Sequence, residues 1–177
     1  MKCRKYLKLI PTRNGKLNVT KEQILKKLCE VMDPEIPRLS VIDLGVIVSV
    51  DVSDSEVKIK MTPTFAGCPA INYLRDEIRR KVQELGVENV IVDVTFEKRW
   101  TSDMITESGR KILKESRFAL PRLNNGKFQP ELITNVECPI CNSTNTRLQT
   151  PFGPTLCRAI HYCDDCKQAF EQFKPVQ

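Results

Sequence analysis

The chain has a single histidine and no long apolar run, and both scarcities exclude classes of function. Among 177 residues the one histidine is His161. Because a cysteine nucleophile normally needs a histidine base, hydrolytic or acyl-transfer chemistry is disfavoured, and we expect a protein that is not an enzyme. No apolar run approaches the roughly 18 residues that a membrane span requires. The apolar stretch near the N-terminus is short and interrupted by Lys8, so we expect no secretory signal and a cytoplasmic location.

Acidic residues are absent from the first 21 residues, which hold seven Lys or Arg side chains. The whole chain has 28 basic and 22 acidic residues, so residues 22–177 carry 21 bases against 22 acids, a net charge of −1. The net charge of +6 therefore belongs to a basic tail, placed at residues 1–19, on a neutral body. Such a tail is more typical of a solvated arm than of a nucleic-acid-binding element, and nucleic acid is not an expected partner.

Cysteine, in contrast, is abundant, with eight residues. Four of them form two C-x-x-C pairs, Cys138/Cys141 and Cys163/Cys166, with 21 residues between the pairs. Two such pairs can place four thiolates at the corners of a tetrahedron, the arrangement that Zn²⁺ prefers in a closed structural site. The other four cysteines are scattered: Cys3, Cys29, Cys68 and Cys157. Their lack of a pairing rhythm fits a reducing compartment better than a disulfide framework.

The ligand set of this metal site has alternatives at the level of sequence. Cys157 and His161 lie between the two pairs, and either could replace one of the four cysteines. Four thiolates could also hold iron or an iron–sulfur cluster, because spacing alone does not separate these from zinc. The expected arrangement is a four-cysteine zinc ribbon over residues 133–177.

Apolar periodicity upstream predicts a small α+β domain at residues 20–97. A capping box at Thr20 and Gln23 begins the first helix, and alternating Val and Ile residues predict a hairpin. Gly86 ends the second helix. The predicted elements are helices at 20–32 and 69–85 and strands at 46–52, 57–61 and 90–96. This α-β-β-α-β order packs helices on one face of a sheet; residues 98–132 are predicted to form a helical extension, with a helix at 102–116, and a linker.

Cys68 is the main candidate for function. It lies in segment 62–69, Thr-Pro-Thr-Phe-Ala-Gly-Cys-Pro, between the second strand and the second helix. Pro69 suits the first helical position, which would put Cys68 at the N-cap, where main-chain amides and the helix dipole favour a thiolate. Thr62 and Thr64 add hydroxyl donors. Such a sulfur could be a nucleophile, a redox thiol or a ligand for iron or a cluster; a compact buried cap is the alternative.

Two further features have both a functional and a structural interpretation. Asp33 and Asp43, in Asp-Pro-Glu-Ile-Pro and Asp-Leu-Gly, could project carboxylates from a rigid loop, although turn formation explains them equally well. Trp100, the one tryptophan, is expected to pack in a core or a domain interface, with partner contact as the alternative.

These motifs together resemble known families. Segments 33–37, 43–45 and 62–69 are similar to the iron–sulfur assembly domain of SufT-like metal–sulfur cluster biosynthesis proteins. The continuation resembles the PaaD (also called PaaJ) phenylacetate-degradation family, in which that domain precedes a zinc-ribbon-like module. The matching residues are Trp-Thr-Ser-Asp at 100–103, Gly-Arg-Lys at 109–111, Phe-Gly at 152–153 and Phe-Glu-Gln-Phe-Lys at 170–174. The resemblance covers about residues 20–175.

The resemblance implies an accessory role in maturing the metal centres of a multicomponent oxygenase, the phenylacetyl-CoA epoxidase system. It places the family's cysteines on Cys68 and on the four ribbon cysteines, with structural zinc expected at the ribbon. We expect a transient iron or iron–sulfur cluster at Cys68, and the local sequence adds Asp33, Thr62 and Thr64 as candidate neighbours. The implied partners are oxygenase or reductase subunits, and a homodimer is a compatible assembly. The alternative is a structural or adaptor subunit of the oxygenase in which Cys68 is passive.

Overall fold

The computed structural model describes residues 19–123 and 131–174, in two compact units. The first unit comprises residues 19–63 and 69–99, and the second comprises 64–68, 100–123 and 131–174. The predicted basic tail, apart from Val19, and residues 124–130 of the predicted extension and linker lie outside the described residues. The elements, in chain order, are α1 Lys21–Leu28, β1 Ile47–Val52, β2 Val57–Met61, α2 Ile71–Gln83, β3 Val90–Val94, a 3₁₀ turn Ser102–Met104, α3 Glu107–Glu115, α4 Glu131–Thr134, β4 Thr146–Thr150, β5 Arg158–Cys163 and β6 Ala169–Phe173.

The first unit has the predicted α-β-β-α-β order. Its sheet has the strand order β1-β2-β3, with β1 and β2 antiparallel and β2 and β3 parallel. Helix α2 is therefore the crossover between two parallel strands, and it packs on β3 while α1 packs on α2 and β1. The alternation predicted for β2 is confirmed, since Val57, Ile59 and Met61 are fully buried. In β1 the register shifts between Ile47 and Ser49, so the simple alternation predicted for that strand is lost.

The predicted start of α1 is confirmed, and its predicted end is wrong. The Thr20 hydroxyl accepts a hydrogen bond from the Gln23 N–H, and the Gln23 side chain accepts one from the Thr20 N–H. The helix ends at Leu28 rather than near Met32. Met32 instead pairs with Ser40 in an isolated bridge. Tertiary pairing thus outweighs the apolar period in the last turn.

A buried lysine joins the two helices of the first unit. The Nζ atom of Lys27 lies 2.7 Å from carboxylate oxygens of both Glu30 and Glu84, and its side chain is 5% exposed. Burial opposes the charge of Lys27, but hydrogen bonds to both glutamates outweigh that penalty and raise its pKa. The hydrogen bond from Lys27 also lowers the pKa of Glu84 below its ordinary value of 4.5.

Lys27→Met is expected to lower the free energy of unfolding of the first unit at pH 7 by about 1–3 kcal/mol, because Glu30 and Glu84 lose the more buried of the two lysines that they share and keep only Lys81. A carboxylate with a lowered pKa in the folded state adds stability above its unfolded pKa and loses it as the pH falls through the folded pKa. The difference between the wild type and Lys27→Met should therefore shrink below about pH 4. Urea unfolding at about pH 7 and about pH 3.5 measures it, and an equal difference at both values would contradict the pairing.

The second unit is built around a three-stranded antiparallel sheet in the order β4-β5-β6. Ala119 adds a parallel bridge to Gln172, and its N–H donates to the Glu171 carbonyl at 2.9 Å. Trp100 is 1% exposed and packs edge-to-face on Phe173, with 5.7 Å between ring centroids. The predicted core role of Trp100 is confirmed.

The helix predicted at 102–116 is divided in two. The chain forms a 3₁₀ turn at Ser102–Met104, becomes extended at Ile105, and restarts at α3. Thr106 is the N-cap of α3, because its hydroxyl accepts a hydrogen bond from the Gly109 N–H at 3.0 Å. A threonine cap within an otherwise helical pattern therefore marks the break. Across residues 19–123 and 131–174, no helix has the length and apolar character needed to cross a bilayer.

Candidate metal centre and the Cys68 loop

Each C-x-x-C pair lies in a tight turn of the same construction. The Cys138 N–H donates to the Ser143 carbonyl, and the Asn142 N–H donates to the Cys138 carbonyl. The second turn repeats these bonds, from Cys163 to Gln168 and from Lys167 to Cys163. Asn142 and Lys167 occupy the left-handed region, with φ of 59° and 60°. Each turn folds back after its second cysteine and so aims both thiols to the same side.

The two turns bring four sulfur atoms together. The Sγ atoms of Cys138 and Cys166 are 3.7 Å apart, those of Cys141 and Cys163 are 3.5 Å apart, and all four lie within 4.8 Å of one another. A Zn–S bond of about 2.3 Å gives a tetrahedron whose edge is about 3.8 Å. The observed separations fit four thiolates around one ion, and they are too long for disulfide bonds. This four-cysteine cluster is consistent with a zinc ribbon.

The electrostatics of the four thiols explain why a cation belongs at their centre. A hydrogen bond from the Cys166 N–H lowers the pKa of Cys163 to about 7. Burial, reinforced by the neighbouring cysteines, raises the pKa of Cys166 to about 12. The main chain therefore favours a thiolate at Cys163, whereas burial and the neighbouring cysteines disfavour one at Cys166. A divalent cation supplies the compensating charge and deprotonates coordinating thiols.

Asp165 fastens the two turns to each other. Its carboxylate accepts hydrogen bonds from the Ser143 hydroxyl at 2.5 Å and from the Asn145 amide at 2.7 Å. These bonds lower the pKa of Asp165. Because Asp165 belongs to the second C-x-x-C segment and Ser143 follows the first, the contact fixes the relative position of the two ligand pairs.

The alternative ligands Cys157 and His161 are not part of the cluster. Among the described residues, only the four predicted cysteines gather at metal-binding distance. His161 is fully buried, and its Nε2 lies 3.1 Å from the Gln172 side-chain oxygen. Burial lowers the pKa of His161, so the ring is a neutral packing group. The Cys157 sulfur instead contacts the Thr155 hydroxyl at 3.2 Å.

The sequence predicted Cys68 at the N-cap of α2, and this prediction is wrong. Helix α2 begins at Ile71 with Ala70 as N-cap, and no side chain caps its first turn. The Cys68 N–H donates to the Phe65 carbonyl at 3.0 Å, so Cys68 closes a separate turn two residues before the cap. Cys68 is half-buried, and Gly67 before it is exposed. A Cβ on Gly67 would lie 3.0 Å from the Phe65 ring, so glycine allows this tight turn.

The other three predicted site residues are buried or have structural contacts of their own. The Asp33 carboxylate accepts the N–H groups of Glu35 and Ile36 at 2.8 and 3.0 Å, which is the turn role. The buried Thr62 hydroxyl donates to the Lys98 carbonyl at 2.9 Å. Asp33 and Thr62 belong to the first unit, whereas Thr64 and Cys68 belong to the second. Thr64 is 7% exposed.

One known protein is similar to this chain over nearly the full length of both. A protein of Escherichia coli strain K12, described as a putative subunit of 1,2-phenylacetyl-CoA epoxidase, is 35% identical over 154 residues, which cover 87% of this chain and 92% of that protein. The family described as PaaD zinc beta ribbon domain matches residues 124–174. The chain belongs to the PaaD family.

The N-terminal part of this PaaD chain also matches a wider group. The family described as iron-sulfur cluster assembly protein matches residues 21–94. A Porphyromonas gingivalis protein called "Fe-S protein maturation auxiliary factor" is 43% identical over 96 residues, which cover 53% of this chain and 90% of that protein. Among solved structures, a conserved hypothetical protein of Thermotoga maritima is 32% identical and covers 56% of this chain and 96% of its own, with a TM-score of 0.48.

Several residues of this PaaD ribbon were not found from the sequence. Asn142 and Lys167 adopt positive φ one residue after each C-x-x-C pair, and an asparagine at that place was the one available signal, since asparagine tolerates the left-handed region. Asp165 and Gln172 act through partners that are distant in sequence. Nothing in a local pattern indicates such contacts.

Proposed function

We propose that this protein is an accessory factor that delivers iron or an iron–sulfur cluster to the metal centre of a client protein, and that it has no turnover of its own. The observation that carries the proposal is the position of Cys68, a half-buried thiol in the turn between β2 and α2. This turn lies in the part of the chain that matches iron–sulfur assembly proteins. A thiolate is a suitable ligand for iron, and the iron or cluster is cargo.

The client proposed here is the oxygenase or reductase of a phenylacetyl-CoA epoxidase. The relative that spans nearly the whole chain is named after that system, and the shorter relatives are named maturation auxiliary factors. In this proposal one zinc ion is held by Cys138, Cys141, Cys163 and Cys166 and is structural. The sulfur spacing supports a single tetrahedral ion, because a cluster would need room for several irons and sulfides.

Cys68→Ser is expected to lower the iron content and activity of a co-expressed client at least about fivefold while leaving the folding of this protein unchanged. Serine keeps the size of the side chain but is a poor ligand for iron. Iron analysis and turnover of the purified client measure the effect. Cys29→Ser is the matched control, because Cys29 is also half-buried and its thiol contacts the Leu25 carbonyl at 3.5 Å, a bond that serine can replace.

A second function is favoured by the Escherichia coli relative, which is described as a subunit of an enzyme. In this alternative the protein is a structural or adaptor subunit and Cys68 is passive. Stable stoichiometric co-purification with the oxygenase, together with full client activity in Cys68→Ser, would support the adaptor. Weak association and loss of client iron would support the maturation factor.

A further inference from the structure

A groove of about 460 Å³ lies in the second unit. Its walls are the C-terminal part of α3, the extended chain at 118–123 and the residues that lead into the first C-x-x-C turn. Phe118, Leu120 and Pro139 give it an apolar surface. Leu123, at its edge, is 69% exposed and extends this apolar surface outward.

The polar residues that line the groove are mostly cations. Within the part of the chain that the structure describes, the lining contains three cationic side chains and one carboxylate: Arg110, Lys114, Arg122 and Glu137. Among the described residues, neither Lys114 nor Arg122 makes a salt bridge. Residues 107–123 as a whole carry five bases and two acids. The groove is therefore locally basic in a protein whose body is neutral.

Arg110 is held in a fixed position at this groove. Its guanidinium donates to the Pro121 carbonyl at 2.8 Å and to the Ser102 carbonyl at 2.9 Å. Both acceptors are neutral, so they orient the group without cancelling its charge. Burial lowers the pKa of Arg110, against the opposing charge of Asp103. A partly desolvated guanidinium gains more from an incoming carboxylate than a fully hydrated one does.

We propose that this groove binds an extended, acidic segment of a partner protein, with carboxylates on Arg110, Lys114 and Arg122 and an apolar side chain between Phe118, Leu120 and Leu123. Charge complementarity selects an anionic occupant, and the apolar surface selects one with aliphatic or aromatic side chains. The groove is open along its rim, which suits an extended chain better than a small molecule, since small ligands normally bury most of their surface in a pocket. The proposal goes beyond metal delivery, since a maturation factor and an adaptor would both need such a docking site.

A single-stranded nucleic acid is the competing anionic occupant, and it fits the groove less well. Such binding combines several phosphate contacts with successive aromatic stacking platforms. Among the described residues that line the groove, Phe118 is the one aromatic ring, and the guanidinium of Arg158 already lies 5.0 Å from its centroid.

The test is a selection from a random dodecapeptide display library on the full-length protein, followed by fluorescence anisotropy of the enriched peptides. We expect at least two Asp or Glu residues next to Leu, Ile or Phe. Lys114→Glu combined with Arg122→Glu should weaken binding at least about tenfold, and Glu137→Gln should tighten it about twofold. Lys111→Glu is the matched control, because Lys111 is an exposed lysine of α3 outside the groove, and it should change the affinity less than about twofold.

Three results would each overturn the proposal: enrichment of basic or uncharged peptides, equal losses in the groove variant and the Lys111→Glu control, or tighter competing binding by a mixed-sequence single-stranded RNA. Thermal unfolding of every variant confirms that the fold is kept. Cys68→Ser should bind the peptides as the wild type does. A failure of peptide docking is thereby distinguished from a failure of metal delivery.

Discussion

Removal of the metal with a strong chelator is expected to unfold the second unit and to leave the first unit folded. Structural zinc supplies an apparent binding free energy of roughly 10–16 kcal/mol in zinc-finger peptides. A segment of about 45 residues rarely has a core large enough to fold without such help. In this ribbon two ligands are themselves part of the core, since Cys138 and Cys163 are fully buried beside Val136 and Phe170.

The expected unfolding reaches beyond the ribbon itself. Ala119 shares the core of the ribbon and pairs with β6 through Glu171. Trp100 packs on Phe173, the last residue of β6. Residues upstream of the ribbon are therefore tied to its sheet, and metal loss should expose Trp100. The first unit has its own sheet and helices, so its amide signals should stay dispersed.

The one tryptophan makes the measurement direct. Emission of Trp100 should shift to longer wavelength on chelation, because its side chain passes from 1% exposure to water. Re-addition of zinc should reverse the shift, and Cys163→Ser should reproduce the chelated state without any chelator. A metal-free protein that kept both its Trp100 emission and the amide dispersion of β4, β5 and β6 would show that the metal is not what holds this unit together.

The metal site was predictable because the needed information is local. The spacing of two C-x-x-C pairs favours four cysteine ligands, since paired thiolates have few other uses at that spacing, although the sequence left Cys157 and His161 open as substitutes. The same local logic predicted the capping box of α1 and the strands β1 and β2. The capping box and each strand depend on residues that are close together in the sequence.

The parts that the sequence did not predict depend on distant contacts or on one or two residues at a boundary. The start of α2 was placed too early because Pro69 is compatible with the first helical turn, whereas the chain uses Pro69 and Ala70 in a turn before the helix. Thr64 and Cys68 belong to the second unit because of tertiary contacts. Neither local propensity nor apolar periodicity could have predicted this assignment.

The buried pair His161 and Gln172 shows the same dependence and allows a quantitative test. The Gln172 amide donates to the Leu132 carbonyl at 2.7 Å, so its oxygen must face His161. His161 Nε2 therefore has the hydrogen, and the ring stacks on Phe170 with 5.3 Å between centroids. This chain of bonds joins α4, β5 and β6, three elements separated by up to 40 residues.

Gln172→Leu is expected to lower the free energy of unfolding of the second unit by about 2–5 kcal/mol, because it leaves the Leu132 carbonyl and the His161 N–H buried without partners. His161→Phe keeps the stacking and leaves only the Gln172 oxygen without a hydrogen-bond partner, so the free energy of unfolding should fall by about 1–3 kcal/mol. In the double variant only the Leu132 carbonyl is left without a hydrogen-bond partner. Its loss should therefore be at least about 1 kcal/mol smaller than the sum of the single losses.

Guanidinium unfolding followed by Trp100 emission, at a fixed zinc concentration, measures all three variants, because metal binding adds to the apparent stability. Gln149→Leu is the matched control, since Gln149 is exposed on β4 and its replacement should change the free energy by less than about 0.5 kcal/mol. Additive losses in the double variant would mean that His161 and Gln172 act independently. A coupling of the expected sign would instead establish that one hydrogen-bonded pair, remote from the four thiolates, holds the ribbon strands to the helix that precedes them.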